Sequence, residues 1–575
     1  PFADMPSSIR ANYETFPTQS EKNGENRGSE ERATLMDHKL LPKIQPSINT
    51  PLDAENGKNH QQQFGSSLRQ VSAAFVAQLG TVNTGMTFGF SAIALPQLNA
   101  TAEAIVDSSV VLNDTQGNYF NCSIINETLY NCSTYSSSIR IDESQGSWIA
   151  SMSSIGTPIG CLLTGYLMDL LGRKRSLIIT EVPAFLGWLL IAFATNVEAI
   201  YAGRFFVGLG SGMVGAPARV YTSEVTQPHL RGMLIALASV GVSTGVLIEY
   251  ALGSILHWKV VAGISSLIPL AALILMFAFP ETPSYLISRS KPEEARRALR
   301  QFRGSKYDLD REMETLVNFS KKNNLKRLTG FREIFQALTK PNALKPFAIL
   351  VIYFLIYQWS GTNAVTFYAV EIFKASGTSI NGYLATVILG VARLLSTVAA
   401  CILCRRCGRR PLTLISSVGC GLSMLGMGGY EWLREYWVHN DVTPTWTWIP
   451  VFCMFSYTVA CTLGFLVVPW VMIGEVYPVQ VRGIIGGITT MTAHSFIFMV
   501  VYSFRVLKDS LTEHGTYLLF GSISFFGSIY FYVCLPETKN KSLQEIEDYF
   551  SGRPSTVKTG KIFWRRQKVA PVEKN

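Results

Sequence analysis

Uncharged polar side chains interrupt one apolar run in the second part of the chain. The run spans 346–373, and its polar members include Gln358, Ser360, Asn363, Thr366 and Tyr368. Polar groups that an apolar segment carries into a membrane either line a cavity or hydrogen bond a neighbouring helix. Gly361 and Gly382 allow the helix here to break and bend. The run therefore predicts a hydrogen-bonding cavity, with interhelical hydrogen bonds without a ligand as the alternative.

Three charged signatures occur twice, in the same order. The first set comprises Gly172-Arg173-Lys174, Glu224 with Arg231-Gly232, and Pro280-Glu281-Thr282. The second set comprises Gly408-Arg409-Arg410, Glu475 with Arg482-Gly483, and Pro536-Glu537-Thr538. A duplication in the same sense requires an even number of membrane spans in each half. Two six-helix halves related by an axis along the membrane normal are one architecture for alternating access.

Charged residues at the ends of apolar runs are candidates for a gate. They are Asp169, Arg173, Arg204, Glu224, Arg231, Arg409, Glu475 and Arg482. We expect them at the inner ends of the spans, where opposite charges pair across the two halves when the inner side is closed. Opening inward then breaks those pairs, so they bias a two-state equilibrium. The alternative is that they are snorkelling residues and turn formers.

The composition indicates that these elements lie in a membrane. Of the 575 residues, 48% are hydrophobic and 16% are charged, whereas soluble domains carry roughly a quarter charged residues. Apolar runs of about 20 residues, each long enough to cross a bilayer as a helix, are predicted at 70–96, 147–168, 176–196, 199–220, 233–253, 260–279, 346–373, 383–404, 411–430, 448–472, 484–505 and 516–535. We therefore predict an all-α membrane protein with twelve transmembrane helices in two six-helix halves, 70–280 and 346–536.

The segments outside the two halves are polar. Residues 1–69 are predicted to be a disordered tail, and 537–575 to be a second tail. Segment 281–345 has the pattern of short amphipathic helices, and the alternative is a basic linker on anionic lipid. The net charge of +10 sits mostly in short segments between apolar runs. It is therefore interpreted as a topology signal and not as a surface for nucleic acid.

Segment 99–146 predicts the orientation in the membrane. It contains five N-x-S/T sequons, at Asn99, Asn113, Asn121, Asn126 and Asn131. Five sequons in one segment favour a glycosylated extracellular loop, and six acidic residues against one arginine, Arg140, agree with this side. The basic turn 173–175 favours the inner side. Both termini are thus predicted to be cytoplasmic.

The cysteines and the remaining motifs predict little chemistry. In an extracellular loop, Cys122 and Cys132 are candidates for a disulfide. Cys401, Cys404 and Cys407 have a spacing like that of a metal site, but no matching Cys/His pair follows, so no metal is predicted. No nucleotide loop and no nucleophile–base arrangement is evident in the sequence. Neither an enzyme nor a cofactor is therefore expected.

The ordered motifs resemble those of the sugar porter family of the major facilitator superfamily. To the two sets above they add Gly165-x-x-x-Asp169, Gly203-Arg204-Phe205, Gln358-x-Ser-Gly361-x-Asn363 and Pro469-Trp470. The stretch 215–232 is especially similar to insect facilitated trehalose transporters. The resemblance implies a facilitative carrier of a sugar, trehalose or a hexose such as glucose, that works by alternating access in the plasma membrane. It also implies that 281–345 is a cytoplasmic helical bundle that braces the inner gate.

The resemblance also assigns candidate sugar-binding residues. Gln358 and Asn363 match sugar-binding positions, and Trp470 matches a tryptophan under the sugar. Phe367 and Tyr368 match an aromatic pair of the outer gate. The alternative for Trp470 is a packing or interface residue.

The site departs from the family pattern at several positions. Amides common in the family are replaced by Ser239, Tyr357 and Arg393, and an Asn-Trp pair is replaced by Ala493-His494. The altered site fits a substrate other than glucose, and a disaccharide is one candidate. Arg393 is costly within a span unless it faces a cavity or a partner, so it either contacts substrate or pairs with Glu371 or another acid.

The first span bears on energy coupling. Proton-coupled members have an aspartate where this chain reads Gly89-Phe90-Ser91, and no charged residue occurs from Val71 to Pro96. A uniporter is therefore predicted over a proton symporter. His494 is the alternative titrating group on a span, with a neutral helix contact as its other interpretation. A sugar sensor that no longer transports is a further alternative.

Overall fold

The computed structural model describes residues 67–107, 111–113, 119–125, 129–134, 139, 141–304, 307–324, 331–378, 380–478, 481–539, 541, 543–553 and 557. The first-half helices are α1 (Ser67–Asp107), α2 (Glu143–Leu171), α3 (Arg173–Ala192), α4 (Val197–Val225), α5 (Pro228–Gly253), α6 (Trp258–Ser265) and α7 (Leu267–Met276). The next four are α8 (Pro283–Ser288), α9 (Pro292–Arg303), α10 (Leu309–Asn324) and α11 (Phe331–Leu338).

The second half follows the same plan. Its helices are α12 (Pro341–Trp359), α13 (Thr362–Phe367), α14 (Ala369–Ala375), α15 (Gly382–Cys407), α16 (Arg409–His439), α17 (Trp448–Leu463), α18 (Val468–Val476) and α19 (Arg482–Cys534). A short helix, α20 (Leu543–Phe550), follows. The predicted tail 1–69 lies outside the described residues except for its last three.

All twelve predicted spans are helical. Within the described residues, nine helices are long and apolar enough to cross a membrane, if α6–α7 and α17–α18 each count as one. Helix α19 contains two predicted spans and is interrupted at Thr512, where φ is 65°. Helices α1 and α4 complete the twelve.

Helices α2 and α4 approach closely through small residues. A Cβ atom at Gly208 or Gly212 of α4 would clash with the backbone of Ser153 or Thr157 on α2. The hydroxyl of Thr157 donates to the backbone oxygen of Gly208 at 3.1 Å. Small residues that let backbones meet are the usual means of helix association in membranes.

Several pairs of helices join the two halves, among them α2 with α19, α5 with α15, and α1 with α13 and α14. Trp148 of α2 packs on Tyr502 of α19, the hydroxyls of Ser243 on α5 and Thr397 on α15 are 2.7 Å apart, and α1 contacts α13. We call the end of the bundle where α2 begins the loop end, and the end that carries α8–α11 the linker end.

The linker helices attach to the first half. Arg303, at the last turn of α9, pairs with Glu312 of α10 at 2.7 Å and donates to the backbone oxygen of Val225 at 2.6 Å. Val225 is the last residue of α4, so the linker is tied to the linker end of a span. The prediction of short helices in this segment agrees with the structure.

A small sheet lies between α1 and α2, where the sequence predicted only a loop. Its strands are β1 (Val111–Asn113), β2 (Tyr119–Ile125) and β3 (Leu129–Thr134), antiparallel in that order. Aromatic and β-branched residues such as Tyr119, Phe120 and Ile124 favour strands. The register pairs Cys122 with Cys132.

Candidate functional site

The predicted break in the seventh span occurs at Gly361. Helix α12 ends at Trp359, and Gly361 has a φ of 94° before α13 begins. Only glycine adopts this conformation readily, and a Cβ atom here would lie 2.6 Å from the ring of Phe520. Gly382 instead begins α15, so the expectation that it bends the seventh span is wrong.

The two predicted amides of this span form a buried pair. Gln358 is fully buried, Asn363 is nearly so, and the Asn363 amide donates to Oε1 of Gln358. The Nε2 atom of Gln358 has no partner among the described residues. This amide therefore keeps a donor for another molecule.

Other polar residues of the span make interhelical contacts instead. The hydroxyl of Tyr457 on α17 donates to the backbone oxygen of Ser360 at 3.0 Å. The hydroxyls of Thr362 and Tyr457 are 3.2 Å apart. The interhelical alternative from the sequence thus holds at Ser360 and Thr362.

Arg393 of α15 is buried beside the seventh span. Its side chain donates to the Thr366 hydroxyl at 2.7 Å, and its Nε atom has no partner among the described residues. The Tyr250 hydroxyl, from the first half, donates to the backbone oxygen of Thr366 at 2.7 Å. Glu371 pairs with Arg505 at 3.0 Å, so the alternative of an Arg393–Glu371 pair does not hold.

Trp470 lies among residues of both halves. Its ring centroid is 5.0 Å from that of Phe354 and 5.7 Å from that of His494. The guanidinium of Arg219, on α4, lies 5.7 Å from the same ring, within the range of a cation–π interaction. Arg219 is a charged residue within a predicted span, but it was not among the predicted site residues.

The remaining two predicted site residues, His494 and Ser239, make no hydrogen bond to another helix among the described residues. His494 Nδ1 is 2.8 Å from the backbone oxygen of Thr490, one turn earlier in its own helix. Ser239 is half-buried on α5 and has no hydrogen bond to a described residue.

Aromatic rings close the loop end over this region. Phe367 contacts Phe88 of α1 with ring centroids 5.6 Å apart. Tyr368 stacks on Phe504 at 5.0 Å and donates to the backbone oxygen of Val501 at 3.2 Å. The predicted aromatic pair is thus buried, and one member crosses between the halves.

Arg505 reinforces this closure. It pairs with Glu371, donates to the backbone oxygen of Glu143 in α2 at 2.7 Å, and lies 5.6 Å from the Tyr368 ring. A Cβ atom on Gly146 would lie 2.5 Å from Nη1 of Arg505, so a glycine makes room for the guanidinium. Arg505 was not among the predicted site residues.

The charge pairs at the linker end form within each half. Arg173 pairs with Glu224 at 3.1 Å, and Arg409 pairs with Glu475 at 2.5 Å. The sequence predicted pairing across the halves for the state in which this end is closed. The described pairs follow the internal repeat instead.

Two further acids repeat in the same way. Glu281 accepts from the backbone nitrogens of Arg173 and Lys174, each at 3.0 Å, and Glu537 accepts from those of Arg409 and Arg410, each at 3.1 Å. In both halves a Pro-Glu-Thr motif therefore binds the first turn of a helix that begins with the basic residues, α3 or α16. Acidic groups at a helix N-terminus are stabilising.

Arg231 and Arg482 cap helix C-termini. Arg231 donates to the backbone oxygen of Thr226 at 3.3 Å, directly after α4, and Arg482 to that of Tyr477 at 2.9 Å, directly after α18. Asp169 is exposed, and its backbone oxygen accepts from Arg289 at 2.5 Å. Cations at helix C-termini are stabilising, so these contacts shape the linker end locally.

Arg204 is not at the inner end of its span, which corrects the prediction. It lies in the second turn of α4, toward the loop end, because α4 starts at that end. The side chain is fully buried and donates to the Thr87 backbone oxygen at 2.8 Å and to the Ser91 hydroxyl at 2.7 Å. Arg204 therefore joins α4 to α1 and α2 and is not part of a linker-end gate.

Two buried acids lie on predicted spans and were not among the predicted site residues. Glu249 of α5 is fully buried and accepts from the Ser265 hydroxyl at 3.1 Å. Glu181 of α3 is also buried. Each is the single acidic residue of an apolar run, and this sequence feature could have identified both. Within the described part of the chain, no cluster of three side chains could hold a metal ion.

Comparisons with known proteins agree with this architecture. A family model described as "Sugar (and other) transporter" matches residues 73–550. A facilitated trehalose transporter of Bombyx mori is 32% identical over 83% of this chain and 86% of that protein. One of Drosophila erecta is 34% identical over 72% of this chain, but the match covers 48% of that protein. The chain thus matches about half the length of that fly relative.

Solved structures show the fold. The proton:xylose symporter of the major facilitator superfamily bound to 6-bromo-6-deoxy-D-glucose has a TM-score of 0.63 at 22% identity, covering 84% of this chain and 99% of that one. The inward open xylose transporter from E. coli has a TM-score of 0.62 at 21% identity, with the same coverage. The helices described above therefore adopt the major facilitator fold.

Proposed function

Because the chain belongs to the sugar (and other) transporter family, we propose that it carries trehalose or a related sugar across the plasma membrane by alternating access. The observation that carries this proposal is the unpartnered Nε2 donor of Gln358, which is fully buried beside Asn363. A buried donor without a partner is costly. A sugar hydroxyl or ring oxygen supplies the missing acceptor.

The proposed transport cycle exchanges closure between the two ends. The two six-helix halves, 70–280 and 346–536, move as two rigid bodies and are joined by the linker 281–345. In the described state the loop end is held by Phe88 on Phe367 and by Arg505 on Glu143. Opening the loop end breaks these contacts. At the same time the linker end closes around the pairs Arg173–Glu224 and Arg409–Glu475. Sugar is released unchanged, since the protein only moves it.

Uniport is the proposed energetic mode. Besides the Thr87 backbone oxygen, the buried Arg204 guanidinium has the neutral hydroxyl of Ser91 as a hydrogen-bond partner on α1. This contact holds the helices together without a titrating group at that position. The cycle then needs no proton, and sugar moves down its own gradient.

The proposed orientation puts the loop end outside the cell and both termini in the cytoplasm. Three of the five sequon asparagines, Asn113, Asn121 and Asn131, lie on strands β1, β2 and β3. Asn99 lies in α1, and Asn126 lies outside the described residues. The cross-strand register of Cys122 and Cys132 supports a disulfide between them.

Uptake into vesicles tests the function. The purified full chain is reconstituted and offered labelled trehalose, glucose, other hexoses and other disaccharides. We expect saturable uptake of trehalose or a closely related disaccharide. At equilibrium, the sugar concentration inside the vesicles should equal the concentration outside. Empty vesicles are the control. Uptake of no sugar by folded protein would refute the proposal and favour a sensor.

A further inference from the structure

Arg219 is a first-half residue placed against the second half. It lies on α4, and its guanidinium is 5.7 Å from the ring centroid of Trp470. This ring also contacts Phe354 and His494. Arg219 makes no hydrogen bond or ion pair with a residue that the structure describes. A guanidinium carries five N–H donors in a fixed geometry, so most of its bonding capacity is unused by the protein.

Two more donors in this part of the protein are unused. Nε2 of Gln358 and Nε of Arg393 lack partners among the described residues, and these side chains are 0% and 7% exposed. Each of these atoms is a donor. Buried donors are nearly always satisfied in folded proteins, so both atoms need an acceptor from a ligand or an ordered water.

The three donor side chains, those of Arg219, Gln358 and Arg393, lie at different heights along the seventh span. Trp470, and with it Arg219, lies beside Phe354. Gln358 comes about one turn later, and Arg393 bonds Thr366. The stretch from Phe354 to Thr366 corresponds to at most about 18 Å of helix. One sugar ring uses part of this row, whereas two linked rings extend along it.

We propose that Arg219 is a substrate-binding residue that selects a disaccharide by holding its second ring at the linker side of the cavity. Gln358, Asn363 and Arg393 hold the first ring. The Arg219 fork donates to hydroxyl oxygens of the second ring, and the Trp470 ring packs against the apolar face of the same ring. This inference rests on the proposed function, because it concerns the sugar that the carrier selects.

The position of Arg219 also links recognition to movement. Arg219 moves with the first half and Trp470 with the second, so closing the linker end changes their separation. A second ring between them is held by both halves only when they approach. A disaccharide thereby favours closure of this end through contacts that a monosaccharide does not make.

The test compares two sugars in one set of variants. KM and maximal rate for trehalose and for glucose are measured in vesicles with the full chain, with Arg219→Gln and with Arg219→Lys. Arg297→Gln, at an exposed linker position, is the matched control. We expect Arg219→Gln to raise KM for the disaccharide by about tenfold or more and to change KM for glucose less than about twofold. Arg219→Lys keeps the charge but not the fork, so an intermediate KM is expected.

The outcomes separate this inference from the proposed function. Retained glucose transport in Arg219→Gln shows that the variant is folded. Unchanged disaccharide KM in both variants, or equal losses for both sugars, would overturn the role of Arg219 while the carrier function stands. Failure of the unmodified chain to move any sugar would overturn the proposed function and this inference with it.

Discussion

Arg505 donates a hydrogen bond of 2.7 Å to the backbone oxygen of Glu143, and this contact joins the second half to the first turn of α2 at the loop end. The same guanidinium pairs with Glu371 in its own half at 3.0 Å. Glu371 thus orients Arg505 toward the other half. Because the acceptor is a backbone atom, the contact tolerates any side chain at 143 and depends on Arg505 itself.

Replacing Arg505 is expected to favour opening of the loop end. Arg505→Met removes the contacts with Glu143 and Glu371 and keeps apolar bulk over Tyr368. A bias of about 1–3 kcal/mol corresponds to roughly 5- to 150-fold in the two-state equilibrium. Single cysteines introduced at the loop end are expected to react faster with an impermeant thiol reagent.

Arg434→Met is the matched control for this prediction. Arg434 pairs with Glu431 at 2.8 Å within α16 and does not join the halves. Thiol reactivity should remain at the unmodified level in this variant. Equal reactivity in Arg505→Met and the unmodified protein would show that Arg505 does not hold the loop end.

The linker-end pair Arg409–Glu475 is expected to stabilise the second half. Glu475 also accepts from the Thr538 hydroxyl at 2.6 Å, so Arg409→Gln leaves it one hydrogen bond. We expect a loss of about 1–3 kcal/mol, visible in thermal unfolding of the purified protein. Glu475→Gln and the double variant complete a cycle. Losses that simply add in the double variant would mean that the pair contributes no coupling energy.

The sequence located the spans well but not the contacts between them. The amides Gln358 and Asn363 were both singled out from one apolar run, but their hydrogen bond to each other was not predicted, because it depends on how the helix breaks at Gly361. Arg505 and Glu371 are far apart in the chain and meet only because α14 follows the break at Gly361. Arg204 was misplaced although the direction of α4 follows from counting spans from segment 99–146. Polar residues within apolar runs can be recognised in the sequence, but their hydrogen-bond and ion-pair partners depend on tertiary packing.

Transport is expected to be independent of a proton gradient. In the uniport model, the ratio of internal to external sugar reaches one at steady state, whichever way a pH gradient points. A protonophore should therefore leave the plateau unchanged. Accumulation that a protonophore abolishes would refute uniport and direct attention to Glu249 and His494.

Ser91→Asp gives a direct contrast. The new carboxylate would lie within hydrogen-bonding distance of Arg204, because the Ser91 hydroxyl is 2.7 Å from its guanidinium. A carboxylate there must be desolvated and paired, so we expect a transport rate that depends on pH more steeply than in the unmodified protein. Ser91→Asn is the neutral control. Identical pH profiles for the two variants would show that position 91 does not influence coupling.

Segment 99–146 is expected to be glycosylated and oxidised in eukaryotic cells. N-glycosidase treatment should increase gel mobility, and replacing Asn121 and Asn131 with Gln should reduce the shift. Cys122 and Cys132 should resist alkylation until a reductant is added. Absence of any mobility shift in well-expressed protein would contradict an extracellular loop, and rapid alkylation of both cysteines would contradict the disulfide.

The binding site itself yields the last prediction. Gln358→Ala and Asn363→Ala are each expected to weaken sugar binding by about 1–3 kcal/mol, the cost of leaving a buried polar partner unsatisfied. Trp470→Ala should cost a similar amount through lost ring contact. Deoxy-sugars should bind poorly for the converse reason, since a site built for a hydroxyl keeps unpaired groups without it. Binding is measured by calorimetry on purified protein.

Thr362→Ala is the matched control, because its hydroxyl contacts Tyr457 at 3.2 Å within the second half. It should lower thermal stability while leaving sugar affinity within about twofold, far below the effect expected at Gln358. Ser239→Gln restores on α5 an amide that is common in the family and is expected to improve glucose binding, because the amide offers a sugar hydroxyl one more hydrogen-bonding partner. If the alanine variants at 358, 363 and 470 all bind sugar like the unmodified protein, these residues only pack helices together, and the cavity must be sought elsewhere in the bundle.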